Sequence, residues 1–167
     1  NMIYKKKVKK ILDNGLEIWL DPKPLRKTAI ALMISSGYAH DTKPETAHTL
    51  EHVQATLAKV YGHAGFLGYT SRNAETSFDG TRFYFSDVLP NHLSQAGDYL
   101  KKVYAKPDKK VFDREINAVK NELSRLVSPG HLFGERVKAI LYPNNWKYVF
   151  GIREKISSLG SLTLQDI

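Results

Sequence analysis

The chain has no cysteine, so disulfides, thiolate nucleophiles and thiolate metal ligands are excluded before any motif is read. Any metal it holds must be taken by His, Asp or Glu. Long apolar runs are lacking as well: none approaches the roughly 18 to 20 residues that a membrane-spanning helix needs. The lysine-rich start is not followed by a hydrophobic targeting segment. A soluble, cytoplasmic chain with no membrane partner is the expectation. Neither an internal repeat nor a low-complexity linker divides the 167 residues, which read as a single domain, 1–167. With 42% of residues hydrophobic and 25% charged, the composition supports a packed core. Acidic residues are fewer than basic ones, and the formal net charge is +8. Such a field gathers anions, but the densest basic run, Lys5 to Lys10, reads as a guard on a strand edge rather than a binding patch. No nucleic-acid partner is expected.

The pattern of elements is legible from periodicity and breakers. Val8 to Leu20 reads as two short strands around Asn14-Gly15, a pair that accepts the positive φ of a tight hairpin. Thr28 to Ile34 is nearly all apolar, as expected of a strand covered on both faces. A helix should follow, capped by Asp41 or Thr42, with Pro44 in its first turn and Leu50, Val53, Leu57 and Val60 on one side. Gly62 should stop it, ahead of a glycine-rich stretch with Gly65 and Gly68. Thr76 to Asp87 alternates and reads as a strand closed by Pro90. Helices are then expected near Asn91 to Tyr104, from an Asp108 cap to about Val127, and near Phe133 to Leu141, with a break at Ser128-Pro129-Gly130 and a loop over Pro143 to Tyr148. The order predicts an α+β fold, a mainly antiparallel sheet with helices packed on one face.

Chemistry is concentrated in the first of these helices, at His48-Thr49-Leu50-Glu51-His52. At about 100° per residue the two histidines lie about 40° apart, and Glu51 lies about 60° to the other side of His48. All three share a face. An H-x-x-E-H string inverts the commoner H-E-x-x-H zinc signature. Two imidazoles are not a catalytic site, which needs a third protein ligand and an open position. Glu115 and Glu122, seven residues apart on one face of the third helix, both qualify, and spacing alone leaves the choice open. His40, His63, His92 and His131 have no second ligand at helical or hairpin spacing, and Trp19 and Trp146 read as packing anchors.

Beyond the pentapeptide, the chain resembles the insulinase and pitrilysin family of zinc metallopeptidases, which includes the mitochondrial processing peptidase. The resemblance runs through Leu12-Asp13-Asn14-Gly15-Leu16-Glu17-Ile18, Leu20-Asp21-Pro22, Ser36-Gly37, the inverted zinc motif, Asn73-Ala74-Glu75-Thr76, Thr81-Arg82-Phe83-Tyr84 and the paired glutamates. Glu122 follows His52 by 70 residues, slightly less than is usual there, consistent with a trimmed loop. Two positions depart from the pattern: Glu45 stands where a glycine is usual, and Thr49 replaces a common aliphatic residue.

The resemblance implies a metallohydrolase fold of the processing-peptidase type and a zinc-dependent endopeptidase that hydrolyses peptides through a metal-activated water. It implies zinc held by His48, His52 and Glu122, Glu51 as general base, Glu115 as the carboxylate supporting a ligand, and Asn73, Ala74, Glu75 and Thr76 as the edge that pairs with substrate backbone. It also implies further elements and homologous domains beyond Ile167, so a homodimer or a second peptidase-like subunit is expected to close the site. Arg82 and Tyr84 share a strand face and read as a solvated arginine beside a structural aromatic. A non-catalytic or partner-dependent subunit that binds peptide without cleaving it is the alternative. The His-Thr-Leu-Glu-His string is also similar to that of S-ribosylhomocysteine lyase, whose chemistry needs cysteines that this chain lacks.

Overall fold

The computed structural model describes residues 6–24, 27–61, 71–145 and 150–167, with the side chains of 59–61 and 71 set aside. Gly62, Gly65 and Gly68, with His63, Trp146 and the end of the 143–148 loop, lie outside the described residues. Strands β1 (Val8–Ile11) and β2 (Glu17–Leu20) form the expected antiparallel hairpin. Its Gly15 has a φ of +83°, the left-handed conformation that glycine adopts without a Cβ penalty. A second sheet holds β3 (Thr28–Ile34), β4 (Ser71–Thr76) and β5 (Thr81–Val88) in the antiparallel order β3-β5-β4.

Among the described residues there are five α-helices: α1 (Thr46–Tyr61) lies between β3 and β4, and α2 (Leu93–Lys102), α3 (Lys109–Arg125), α4 (Pro129–Leu141) and α5 (Ile152–Ser158) follow β5. The architecture is α+β with antiparallel sheets, as the order of elements predicts. No helix among the described residues is long and apolar enough to cross a membrane.

Helix α1 is the pivot, because two cores meet on it. Ala55 and Ala58 pack with Phe83, Phe85 and Val88 of β5 and with Ala96 and Tyr99 of α2. On its far side Val53 and Leu57 pack with Phe112, Val119 and Leu123 of α3 and with Ile152 of α5. Every one of these side chains is at least nine-tenths buried, and burying a large aliphatic or aromatic side chain contributes about 1.5–3 kcal/mol. Apolar residues on two faces of α1 thus fix its distance to β5 and to α3 together, and a third, polar face is left between them.

Several local expectations are corrected. Thr76 to Asp87 is not one strand: Ser77 N–H donates to Gly80 O at 2.8 Å, turning the chain between β4 and β5. The Asp79-Gly80 pair was the overlooked turn signal. Strand β3 is not covered on both faces. Ala29, Ala31 and Met33 alternate with Ile30, Leu32 and Ile34, and Met33 is 71% exposed, because the helices lie on the other side. Leu50 is only half-buried, and Val53 and Leu57 carry that face of α1. The break expected at Ser128-Pro129-Gly130 does separate α3, which ends at Arg125, from the next helix, but α4 starts at Pro129 rather than near Phe133, with Ser128 as cap and Pro129 in the first turn, where its missing N–H costs nothing. Asp41 caps α1 from a distance, its Oδ1 accepting from Ala47 N–H at 2.8 Å, and the helix itself begins at Thr46.

Candidate metal centre

The polar face of α1 points His48, Glu51 and His52 into the gap between β4 and α3, and α3 presents Glu115 and Glu122 opposite. Side-chain direction distinguishes the two glutamates, whose spacing in the sequence does not. Glu122 Oε1 lies 3.7 Å from His48 Nε2, and its Oε2 lies 3.3 Å from His52 Nε2. Glu115 sits one turn pair earlier, behind the rings, with Oε2 3.5 Å from His52 Nδ1. Its other oxygen accepts from Thr56 Oγ1 at 3.0 Å and from Arg114 Nε at 2.9 Å, so the carboxylate is held on three sides.

The donor atoms suit a metal. Ligand atoms of His48, His52 and Glu122 all lie within 4.8 Å of one another, and this is the group of that kind found among the described residues. Tetrahedral zinc at about 2.0–2.1 Å from its ligands separates them by about 3.4 Å, against the 3.3 and 3.7 Å between carboxylate and imidazole nitrogens. Two imidazoles and one carboxylate form the donor set of a zinc that keeps an open position. The residues therefore fit the ion.

Glu51 is 7% exposed, and Thr76 Oγ1 donates to its Oε2 at 3.4 Å. Burial pushes its carboxyl above the usual range, against the pull of His52 and His48. His48 is buried too, which would lower its basicity, but the hydrogen bond to Glu45 and the surrounding carboxylates raise it above the ordinary histidine value.

A cavity of about 470 Å³ opens on this cluster, walled by His48, Glu51, His52 and Glu122 on one side and by Asn73 to Thr76 on the other. Strand β4 is the edge of its sheet among the described residues, pairing only with β5. Its side chains alternate. Ala74 packs into the core and Thr76 reaches Glu51, whereas Asn73 and Glu75 occupy the opposite positions, Glu75 in an ion pair with Arg82. Arg82 also lies 5.1 Å over the Tyr84 ring. Only Thr76 of the four thus brings its side chain to the zinc-motif residues, and the others border the cavity as part of the edge strand.

Sequence reasoning passed over Tyr38, Arg72 and Tyr99, which also line the cavity. Burial first, and the Glu45 and Glu51 charges after it, hold the Tyr38 phenol far above its usual value. Close backbone approach at two glycines puts Tyr38 there: a Cβ on Gly37 would collide with the β4–β5 turn at Ser77 and Gly80, and one on Gly80 with Ile34 at the end of β3. Tyr38 and Ala39 then donate to Ser77 O and Phe78 O at 3.1 and 2.7 Å. Arg72 lies 5.5 Å over the Tyr99 ring; the i, i+2 alternation of β4 was the signal that could have found it. His40, His92 and His131 make local contacts with Gly37, Gln95 and Ser128.

No family model matches the sequence, and no curated protein matches it. The fold does find relatives. A protease from Helicobacter pylori superposes with a TM-score of 0.75 at 19% identity, over 96% of this chain and 41% of that one. An M16-like peptidase from Alicyclobacillus acidocaldarius superposes with a TM-score of 0.70, at the same identity and the same two coverages. The chain shares its fold with both structures. The chain spans about two fifths of the length of those two structures. Within this shared fold, the His48, His52 and Glu122 cluster is the candidate metal centre.

Proposed function

We propose that the chain is the zinc-binding, catalytic portion of a metalloendopeptidase. One observation carries the reading: both Nε2 atoms converge on Glu122, with a buried carboxylate, Glu51, beside them at the mouth of a cavity that an edge strand borders. His48, His52 and Glu122 would hold the zinc, which supplies Lewis acidity that polarises a carbonyl and acidifies water.

The remaining chemistry belongs to the chain. Glu51 takes the proton of the attacking water on a carboxylate oxygen and returns it to the departing amine nitrogen. Such acid and base exchange contributes about 10²- to 10⁴-fold. Burial, by raising the Glu51 carboxyl, makes it a better proton acceptor than an exposed carboxylate. The Thr76 hydroxyl, donating to Oε2, leaves Oε1 for the water. Glu115 fixes the His52 ring through Nδ1. An extended peptide adds to β4 along Asn73 to Thr76, main chain to main chain, which binds many sequences with limited selectivity.

Elemental analysis of the purified chain, with Glu122→Gln alongside and a quenched mixed-peptide assay on the same samples, tests the reading. One zinc per chain, weakened in Glu122→Gln, together with cleavage, is the expected result. Absence of zinc from the wild type removes the central claim. Zinc without cleavage favours the partner-dependent subunit, in which a second copy or another peptidase-like chain closes the site; the two-fifths coverage of the relatives' length is what keeps that reading in play.

A further inference from the structure

We propose that Glu45 is a positioning residue for the metal centre: its carboxylate, clamped by Lys155, fixes the His48 ring so that Nε2 faces Glu122 and His52. The proposal rests on the metal-binding reading above.

Glu45 is unusual in two independent ways. Its φ of 69° lies in the left-handed region, where a Cβ crowds the following carbonyl and glycine is the undemanding occupant. Its side chain is also fully buried, with no exposed area. A strained backbone and a buried charge at one residue persist only where the surroundings over-determine them.

Three contacts do so here. The Glu45 carbonyl accepts from Thr49 N–H at 2.9 Å and starts α1. Its Oε2 lies 2.8 Å from His48 Nδ1. Its Oε1 forms an ion pair with Lys155 Nζ at 3.1 Å. Lys155 comes from α5 and its ammonium lies 5.0 Å over the Tyr38 ring, whose own edge meets His48 with centroids 6.2 Å apart. The clamp is therefore assembled from three separate segments of the chain.

The chemistry has one direction. A carboxylate only accepts hydrogen bonds, so His48 Nδ1 must donate, and the neutral ring then has its lone pair on Nε2, the atom 3.7 Å from Glu122. His52 is arranged the same way, with Glu115 behind Nδ1 and Glu122 ahead of Nε2. Each imidazole thus has its own carboxylate behind it. Lys155 cancels the added charge, so the second support does not burden a site already carrying Glu51, Glu115 and Glu122. His48 Nδ1 beside one oxygen and Lys155 Nζ beside the other compensate the buried carboxylate.

The test compares zinc affinity, by chelator competition, for the full chain and for Glu45→Gly and Glu45→Gln. Nitrogen-15 spectra of metal-free wild type in mildly alkaline buffer read the His48 tautomer. Glycine relieves the backbone while deleting the carboxylate, so the metal-free variant is expected to melt no lower than wild type. Its zinc affinity is expected to fall about 10- to 100-fold. Glutamine, which can still accept from Nδ1, should show a smaller loss, and wild-type His48 should carry its proton on Nδ1. If Glu45→Gly fails to fold, the glutamine variant and the wild-type spectrum decide. Wild-type affinity in the folded variants, or a His48 proton on Nε2, overturns the role of Glu45 alone. A wild type that takes up no zinc overturns the metal-centre reading itself.

Discussion

Replacing Glu51 with glutamine separates proton transfer from metal binding. The side chain is 7% exposed and touches Thr76 Oγ1 through Oε2, so an amide of the same shape fits, and its carbonyl oxygen can accept the same hydrogen bond. No void opens. The ionised carboxylate is disfavoured by burial, so neutral glutamine at neutral pH is expected to leave the thermal midpoint unchanged or slightly higher. Neither imidazole uses Glu51 as its Nδ1 support, those places being taken by Glu45 and Glu115. One zinc per chain should therefore be retained. Turnover should fall by about 10²- to 10⁴-fold, the worth of a general base, which is about 3 to 5 kcal/mol of barrier at 1.36 kcal/mol per tenfold. The assay is kcat/KM on a quenched peptide with zinc content measured on the same protein. A zinc-loaded variant turning over near the wild-type rate would refute the assignment of the base. A variant that loses its zinc would refute the separation of roles.

Thr49→Val should stabilise the chain, because Thr49 is fully buried and its Oγ1 has no hydrogen-bond partner among the described residues. Removing an unsatisfied buried hydroxyl is worth about 1 to 3 kcal/mol, readable in urea unfolding; an unchanged or lower midpoint would show that the hydroxyl is satisfied. Asp166 anchors the final residues, accepting from Lys43 Nζ at 2.9 Å and from Thr163 N–H at 2.7 Å. Lys43 first, then Thr163, lowers its carboxyl from 3.8 to about 2. A carboxyl depressed in the folded state adds stability above its unfolded value and loses it as pH falls through the folded one. The melting gap between wild type and Asp166→Asn should be full above pH 3.8 and close toward pH 2, and a gap independent of pH would count against the tether.

Local order was readable wherever a single element decides it. Asn14-Gly15 turns the first hairpin, Asp108 caps α3 by accepting from Val111 N–H at 2.8 Å, and the apolar run Thr28 to Ile34 is a strand. The i, i+3, i+4 spacing of His48, Glu51 and His52 places them on one helical face whatever surrounds them, because 3.6 residues make a turn. Where an element's neighbours decide, sequence reasoning stopped short. The apolar run Thr28 to Ile34 does not say which of its faces is covered, and only the packing of the helices on one side of the sheet leaves Met33 exposed.

Glu115 and Glu122 share a face of α3, and no periodicity tells which meets Nε2 and which meets Nδ1. That depends on how Val53 and Leu57 seat against Val119 and Leu123, a packing between segments some seventy residues apart in the chain. Glu45 looked like a simple departure from a familiar pattern, and only the left-handed backbone, the His48 contact and Lys155 arriving from α5 give it a place beside the metal centre. The sequence by itself determined which side chains share a helical face, because backbone geometry is local. Only the tertiary structure decided which faces meet and at what distance, because side-chain volumes from distant segments set the spacing between elements.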